Sequence, residues 1–310
     1  MLIFILLLSI AIDVVFGELP SKIHLVVIVG NLIGFFKSKL YKTKNRITGL
    51  FLTVTVTFIS TVILFVIFNV IKINIILFII VYSLLLSSTF SLKLLLTSAS
   101  NIESKLSQSI EAARREVSYL VSRNTEELSE SFIVSATIES LSENITDSYV
   151  APIFYFVIAS FFLKEHLFIL LLVPVIYRII NTLDAMVGYQ TEELKYIGFV
   201  PAKLDDILNF IPSRITAVFI VLSSYVLGYD HKNSFKILRR DAKRCPSPNS
   251  GFTMAPTAGA LNIQLIKKDI YKMGDDNKKI TRDDISRAVR LSKLTIILFT
   301  VAMFALMVII

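Results

Sequence analysis

Cysteine is nearly missing. The single one, Cys245, excludes an intramolecular disulfide framework and any cysteine-cluster metal site, and is read as an incidental small residue. Histidine is almost as scarce, and His24, His166 and His231 stand too far apart in sequence to form a local zinc motif. Charge is also in short supply: 18% of the 310 residues are Asp, Glu, Lys or Arg against 54% hydrophobic ones. With a mean hydropathy of +0.70, this composition excludes an ordinary soluble domain. The opening MLIFILLLSIAI carries no basic stretch and no small-residue cleavage site, so it is expected to be a retained span rather than a signal peptide. No internal repeat or low-complexity tract is evident.

What the chain does have is apolar runs able to cross or enter hydrocarbon, at 1–16 with a continuation at 23–36, 47–71, 73–92, 149–163, 167–180, 211–228 and 294–310. The expected fold class is all-α: a polytopic helical membrane protein, one integral domain over 1–310, with cytoplasmic helical and loop segments carrying the polar motifs. Lys and Arg number 32 against 24 Asp and Glu, a formal charge of +8, and in a membrane protein this excess marks cytoplasmic loops rather than nucleic-acid binding. KSKLYKTKNR at 37–46, with Lys37, Lys39, Lys42, Lys44 and Arg46, is therefore expected in the cytoplasm. The block 93–148 returns there as helix, since Ala112, Val117, Leu120 and Val121 recur at helix-like spacing. The basic loop 229–293, holding Arg239, Arg240, Lys243, Arg244, Lys267 and Lys268, belongs on the same side. Counting crossings leaves one run too many. Segment 211–228, with Pro212 and Arg214 near its start, is expected to re-enter or to lie along the interface.

Four polar constellations stand out. In TIESLSENITDSYVAPIFYF, 137–156, Glu139, Glu143 and Asp147 are spaced i, i+4, i+8 with Asn144 beside them, so on a helix three carboxylates share a face. Without a basic partner at that spacing they call for an external cation, and Mg²⁺ takes oxygen ligands; a solvated acidic face is the alternative. Asn144-Ile-Thr146 has the form of a glycosylation sequon but is read as accidental. NTLDAMVGY, 181–189, puts Asn181 and Asp184 on one helical face ending at Gly188, as a helix cap at a membrane boundary would. LDDILNFIPSRITA, 204–217, spaces Asp205 and Asn209 by four, and its Arg214 either snorkels or clamps a phosphate or carboxylate. RRDAKRCPSPNSG, 239–251, is expected to be a fixed non-helical loop set by Pro246, Pro248 and Gly251. It would offer Ser247, Asn249 and backbone N–H groups to an anion, or be a proline-rich surface turn. Arg114 and Arg115 sit beside Glu111 and Glu116, as helix ion pairs would.

Taken in order, the motifs resemble the adenosylcobinamide-phosphate synthase family (CobD/CbiB) of cobalamin biosynthesis. The resemblance rests on ARREVS at 113–118, ENITDSYVAPIF at 143–154, NTLDAMVGY at 181–189, GFVPAKLDDILNFIPSRITA at 198–217 and PSPNSGFTMAPTAGAL at 246–261, with HLVVIVGNLI at 24–33. It covers nearly the whole chain. Departures fall at Leu25, at GELP 17–20 and at Asn124, Lys203 and Cys245, and leave the acids of the ENITD and NTLD blocks in place.

The resemblance implies an acid–amine ligase of the cell membrane, multi-pass, joining adenosylcobyric acid to (R)-1-aminopropan-2-ol or its O-phosphate. Carboxylate and amine do not condense unaided at neutral pH, so ATP and Mg²⁺ are the implied cofactors. Glu139, Glu143, Asn144 and Asp147 would hold the metal. Asp184 and Asp205 would be further ligands or bases, with Arg214 a catalytic phosphate clamp. Arg240, Ser247 and Asn249 would contact phosphate, and Arg114, Asn181 and Asn209 complete the cofactor-binding set. The lipid bilayer is a further expected partner, nucleic acid is not, and a homo-oligomer stays open. Two other functions compete: a small-solute transporter, against which the one-sided distribution of polar motifs argues, and a non-catalytic regulatory relative, which loss of the acids would favour.

Overall fold

Helix starts follow local chemistry. Asn45, Asn74, Ser109 and Asp230 each accept a hydrogen bond from a backbone N–H two or three residues on, satisfying a donor the helix leaves over. In the computed structural model, residues 1–40, 42–43 and 45–309 are described; Lys44 of the basic segment lies outside the described residues. Those residues form fourteen α-helices: α1 Leu2–Phe16, α2 Leu25–Leu40, α3 Arg46–Ile71, α4 Ile75–Ser87, α5 Leu92–Leu106, α6 Ile110–Ser118, α7 Glu130–Ile145, α8 Ala151–Leu163, α9 Leu167–Val187, α10 Phe199–Leu208, α11 Phe210–Val226, α12 His231–Asp241, α13 Ser250–Leu261 and α14 Asp283–Val308. A π turn, Thr146–Val150, joins α7 to α8. A two-stranded antiparallel hairpin, β1 Leu265–Lys267 and β2 Tyr271–Met273, is the sheet content of this all-α chain.

Among the described residues five helices are long and apolar enough to cross a membrane: Arg46–Ile71, Ile75–Leu106, Glu130–Leu163, Leu167–Val187 and Asp283–Val308. The protein is thus a polytopic helical membrane protein. Segment 211–228 is helical as α11, and it qualifies only together with α10, as a broken span or a re-entrant loop. The run at 1–16 is shorter than expected of a span: the 15 residues of α1 reach about 22 Å, against roughly 30 Å of hydrocarbon. The acidic face and the run at 149–163 are one continuous helix, Glu130–Leu163, rather than a block followed by a span. Pro152 accounts for the π turn within it, because its ring crowds the carbonyl four residues back and a wider turn relieves that crowding.

Within the 1–310 expected as one integral domain, the chain divides into two compact units, each discontinuous in sequence. The first comprises Met1–Leu92, Ala151–Leu208 and Met303–Ile310. Here α8 and α9 pack as a hairpin, and Ile5, Leu6, Leu52, Tyr82 and Phe156 are buried. Phe51, Phe58 and Phe65 on α3 are exposed at seven-residue spacing, an apolar stripe suited to hydrocarbon rather than water.

The second unit comprises Lys93–Val150 and Asn209–Ala302. Ile102, Val117, Ile133, Ile138, Met254, Leu265, Met273 and Ile285 belong to its core. Here the sequence expectation is corrected: the basic loop 229–293 contains α12, α13 and the hairpin, and Gly251 is the second residue of a helix rather than part of a non-helical loop. Small side chains explain α13. A Cβ on Gly259 would lie 2.6 Å from the Asn233 carbonyl oxygen, so its absence lets α13 press onto α12.

Candidate functional site

In the second unit, Ser135, Glu139 and Glu143 lie one helical turn apart on α7. Glu139 is 3% exposed. The Ser135 hydroxyl donates to its Oε1 at 2.7 Å, and Oε2 accepts from Arg123 Nη2 at 2.6 Å and from the Tyr271 hydroxyl at 2.8 Å. Ser135 Oγ in turn accepts from the Ile266 N–H at 3.0 Å, which fixes the hairpin against α7. Burial, then the charge of Glu139 and its hydrogen bond, push the Tyr271 phenol well above its ordinary value, so it stays a donor. Glu143 Oε1 accepts from the Ser250 hydroxyl at 2.5 Å, at the first turn of α13.

These groups border a cavity of about 110 Å³, lined by Arg123, Glu139, Ser140, Glu143, Asn144, Lys267 and Tyr271 among others. Lys267 projects from β1 near enough for its charge to act on Glu143 and on Cys245. Burial first, and then the two glutamates, push the Cys245 thiol above its ordinary value.

The geometry changes several sequence expectations. Among the described residues no three His, Cys, Asp or Glu side chains are grouped to hold a metal ion. Of the expected ligand set, Glu139, Glu143 and Asn144 line the cavity and Asp147 does not. The counter-charge of Glu139 is internal, supplied by Arg123 from a loop 16 residues away. Asn144 donates to the Ser140 carbonyl at 2.8 Å. Asp147 falls in the π turn, where the wider helix breaks the i, i+4 stacking, and it does not line the cavity.

Arg214 is a clamp, but on the protein itself. Its Nη1 donates to the Phe210 carbonyl at 2.9 Å and to Asn249 Oδ1 at 2.6 Å, its Nη2 donates to the Pro248 carbonyl at 2.9 Å, and the guanidinium is stacked on Phe210 and Phe252. It therefore positions the loop whose Ser247 Oγ accepts the N–H groups of Asn249 and Ser250. Arg240, read as a phosphate contact, instead holds buried Asp241 through two hydrogen bonds and Asp275 through a third. Burial pushes the Asp241 carboxyl up, but the bond from Arg240, the Gly274 N–H and the nearby Arg244 outweigh it and hold it below its ordinary value. Arg114 donates to the Leu128 carbonyl at 2.9 Å, and Asn209 is buried at the start of α11.

The first unit carries its own polar network. Arg178, buried on α9, donates to the Thr89 carbonyl at 2.6 Å and to Asn181 Oδ1 at 3.0 Å, and Asn181 Nδ2 donates to Asp205 Oδ1 at 3.1 Å. Asn181 and Asp205, assigned from separate motifs, are thus brought together. Asp184 sits against Gly188, where any Cβ would meet its carboxylate. Glu18 pairs with His24 and accepts from Ser91; burial raises its carboxyl, while these partners and the Arg178 charge bring it below its ordinary value. Sequence reasoning did not single out Arg178 and Glu18 as members of this network, although a lone arginine within the apolar run 167–180 is itself a signal.

Fold and clusters define an integral membrane protein of several helical spans with two buried polar centres. The chain belongs to the CobD/CbiB family of cobalamin biosynthesis, matching the family described as CobD/Cbib protein over residues 6–292. A relative from Methanothermobacter thermautotrophicus, described as "Probable cobalamin biosynthesis protein CobD", is 46% identical over 306 residues, 99% of this chain and 98% of its own. Relatives of the same description from Methanococcus aeolicus (44% identical, 87% of each chain) and Methanocaldococcus jannaschii (38%, covering 96% of this chain and 95% of the relative) are also similar. No solved structure matches.

Proposed function

We propose that the protein is a cobinamide-phosphate synthase, an acid–amine ligase of the cell membrane that joins adenosylcobyric acid to (R)-1-aminopropan-2-ol or its O-phosphate. The observation that carries this reading is the family match running through 6–292, across the motif blocks of both units. In the reaction the amine nitrogen bonds to a side-chain carboxyl carbon of the corrinoid, one carboxyl oxygen leaves, and the amine gives up protons. Bound ATP with Mg²⁺ would supply activation of that oxygen as a phosphate leaving group. The unit-two cavity does not fit that pair. It is smaller than the roughly 300 Å³ of ordinary ligand pockets, and its Glu139 is already paired with Arg123. Glu143, which borders the cavity, is the proposed base for the ammonium proton.

Mass spectrometry of the purified protein incubated with adenosylcobyric acid, either amine and Mg-ATP tests the reading. The amide product is expected. Its absence with both amines overturns the function, and its persistence after EDTA treatment and nucleotide removal overturns the cofactor roles alone.

A further inference from the structure

The cavity between α7, the hairpin and the 119–129 loop has a charge arrangement that the reaction class does not by itself dictate. Arg123 and Glu139 neutralise each other directly at 2.6 Å. Glu143, whose Oε1 accepts from Ser250, and Lys267 both line the cavity, and the charge of Lys267 acts on Glu143. The Lys267 ammonium makes no hydrogen bond or salt bridge among the described residues, and Glu143 and Asn144 line the same cavity. A volume near 110 Å³ admits a molecule of a few heavy atoms and excludes a nucleotide or a corrin ring. Its best occupant is small and zwitterionic, with an ammonium to face Glu143 and an anionic oxygen group to face Lys267 and the remaining nitrogens of Arg123.

We propose that this cavity seats the amine substrate and that Lys267 is its specificity-determining residue, selecting a phosphorylated amino alcohol over the free one. The assignment rests on the amide-synthase reading and adds to it a place and a preference. The ammonium end is common to both amines and answers to Glu143. Only the phosphate distinguishes them, and it answers to Lys267. Tyr271 and Ser135 act as positioning residues, since they hold Glu139 and through it Arg123.

The test is isothermal titration of the detergent-solubilised full chain with aminopropanol O-phosphate and, separately, with aminopropanol. The wild-type protein is expected to prefer the phosphate ester. Lys267→Met should lower the ratio of the two affinities roughly 10- to 100-fold, the worth of one charge-assisted contact. Lys267→Arg should restore most of that ratio, and Lys268→Met, at the exposed neighbour, should leave it at the wild-type value. An equal ratio in Lys267→Met and wild type, with both folded by thermal unfolding, overturns the proposal, as does wild-type preference for the free amine. The amide assay reads separately: selective binding without product formation removes the synthase reading, whereas product formation without selective binding removes only the role of Lys267.

Discussion

At the scale of single residues, the buried Glu139 and Arg123 pair decides whether the α7 cluster holds together. Removing one partner strands the other's charge away from water, at a cost of roughly 3–5 kcal/mol, whereas removing both charges is close to neutral. Arg123→Met is therefore expected to lower the unfolding midpoint sharply, and adding Glu139→Gln should recover most of the loss. A double-mutant cycle by thermal unfolding in detergent reads this, and two independent, additive losses would show that the pair is not coupled. Asp241 is one contributor to the pH dependence, alongside Glu18 and Asp284. Its carboxyl is held below the ordinary value in the folded chain, so its contribution to stability is present above about pH 4, near the unfolded carboxylate value, and is lost as pH falls through the lower folded one. Acid unfolding should begin below about pH 4 and be blunted in Asp241→Asn, a variant already less stable at pH 7. Much of this chemistry was half legible in the sequence. The i, i+4 spacing of Glu139 and Glu143 was visible, but their partners Tyr271 and Lys267 come from a hairpin more than a hundred residues on. Arg214 and Arg240 were read from the sequence as phosphate contacts, and what they grip in the structure, a carbonyl-rich loop and the buried Asp241, is set by tertiary contact.

At the scale of elements, the spans were legible and α13 was not. Long apolar runs announce themselves through composition, and the helices at Arg46–Ile71 and Leu167–Val187 fall where the runs predict them. SGFTMAPTAGAL carries Pro256, two glycines and small residues, all of which argue against a helix by propensity. Packing overrides that propensity, because the same small residues let the helix come close to its neighbours and bury nearly its whole surface. The consequence is measurable. Gly259→Ala would push a methyl against the backbone of Asn233 and Ser234, which cannot swing aside, and should cost about 2 kcal/mol or more. Gly34→Ala on α2 meets nothing within 4 Å and should raise stability by up to about 1 kcal/mol through helix propensity. Equal thermal midpoints for the two variants would show that α13 is not closely packed.

For the whole molecule, the open quantity is the number of crossings, and charge distribution bears on it independently of helix length. Five helices qualify as spans, and a sixth qualifies only if α10 and α11 cross as one broken element. The sides then follow by alternation. If 37–46 is cytoplasmic, as the positive-inside bias expects, α3 would lead out, Ile75–Leu106 back, Glu130–Leu163 out, and α9 would return the chain to the cytoplasm before α10. A true crossing by α10 and α11 would put the segment after Val226 outside, together with Arg239, Arg240, Lys243, Arg244, Lys267 and Lys268, against the positive-inside bias. Re-entry at Asn209 would instead keep that segment, and the cavity bordered by Lys267, on the same side as 37–46. Single cysteines at Lys42 and Lys268, in a Cys245→Ser background, are thus expected to resist a membrane-impermeant thiol reagent in intact cells and to react once the membrane is opened. A cysteine at Ile73, in the turn between α3 and α4, should react from outside. Ready labelling at position 268 in intact cells, with position 42 protected, would make α10 and α11 a full span and move the basic segment to the outer face.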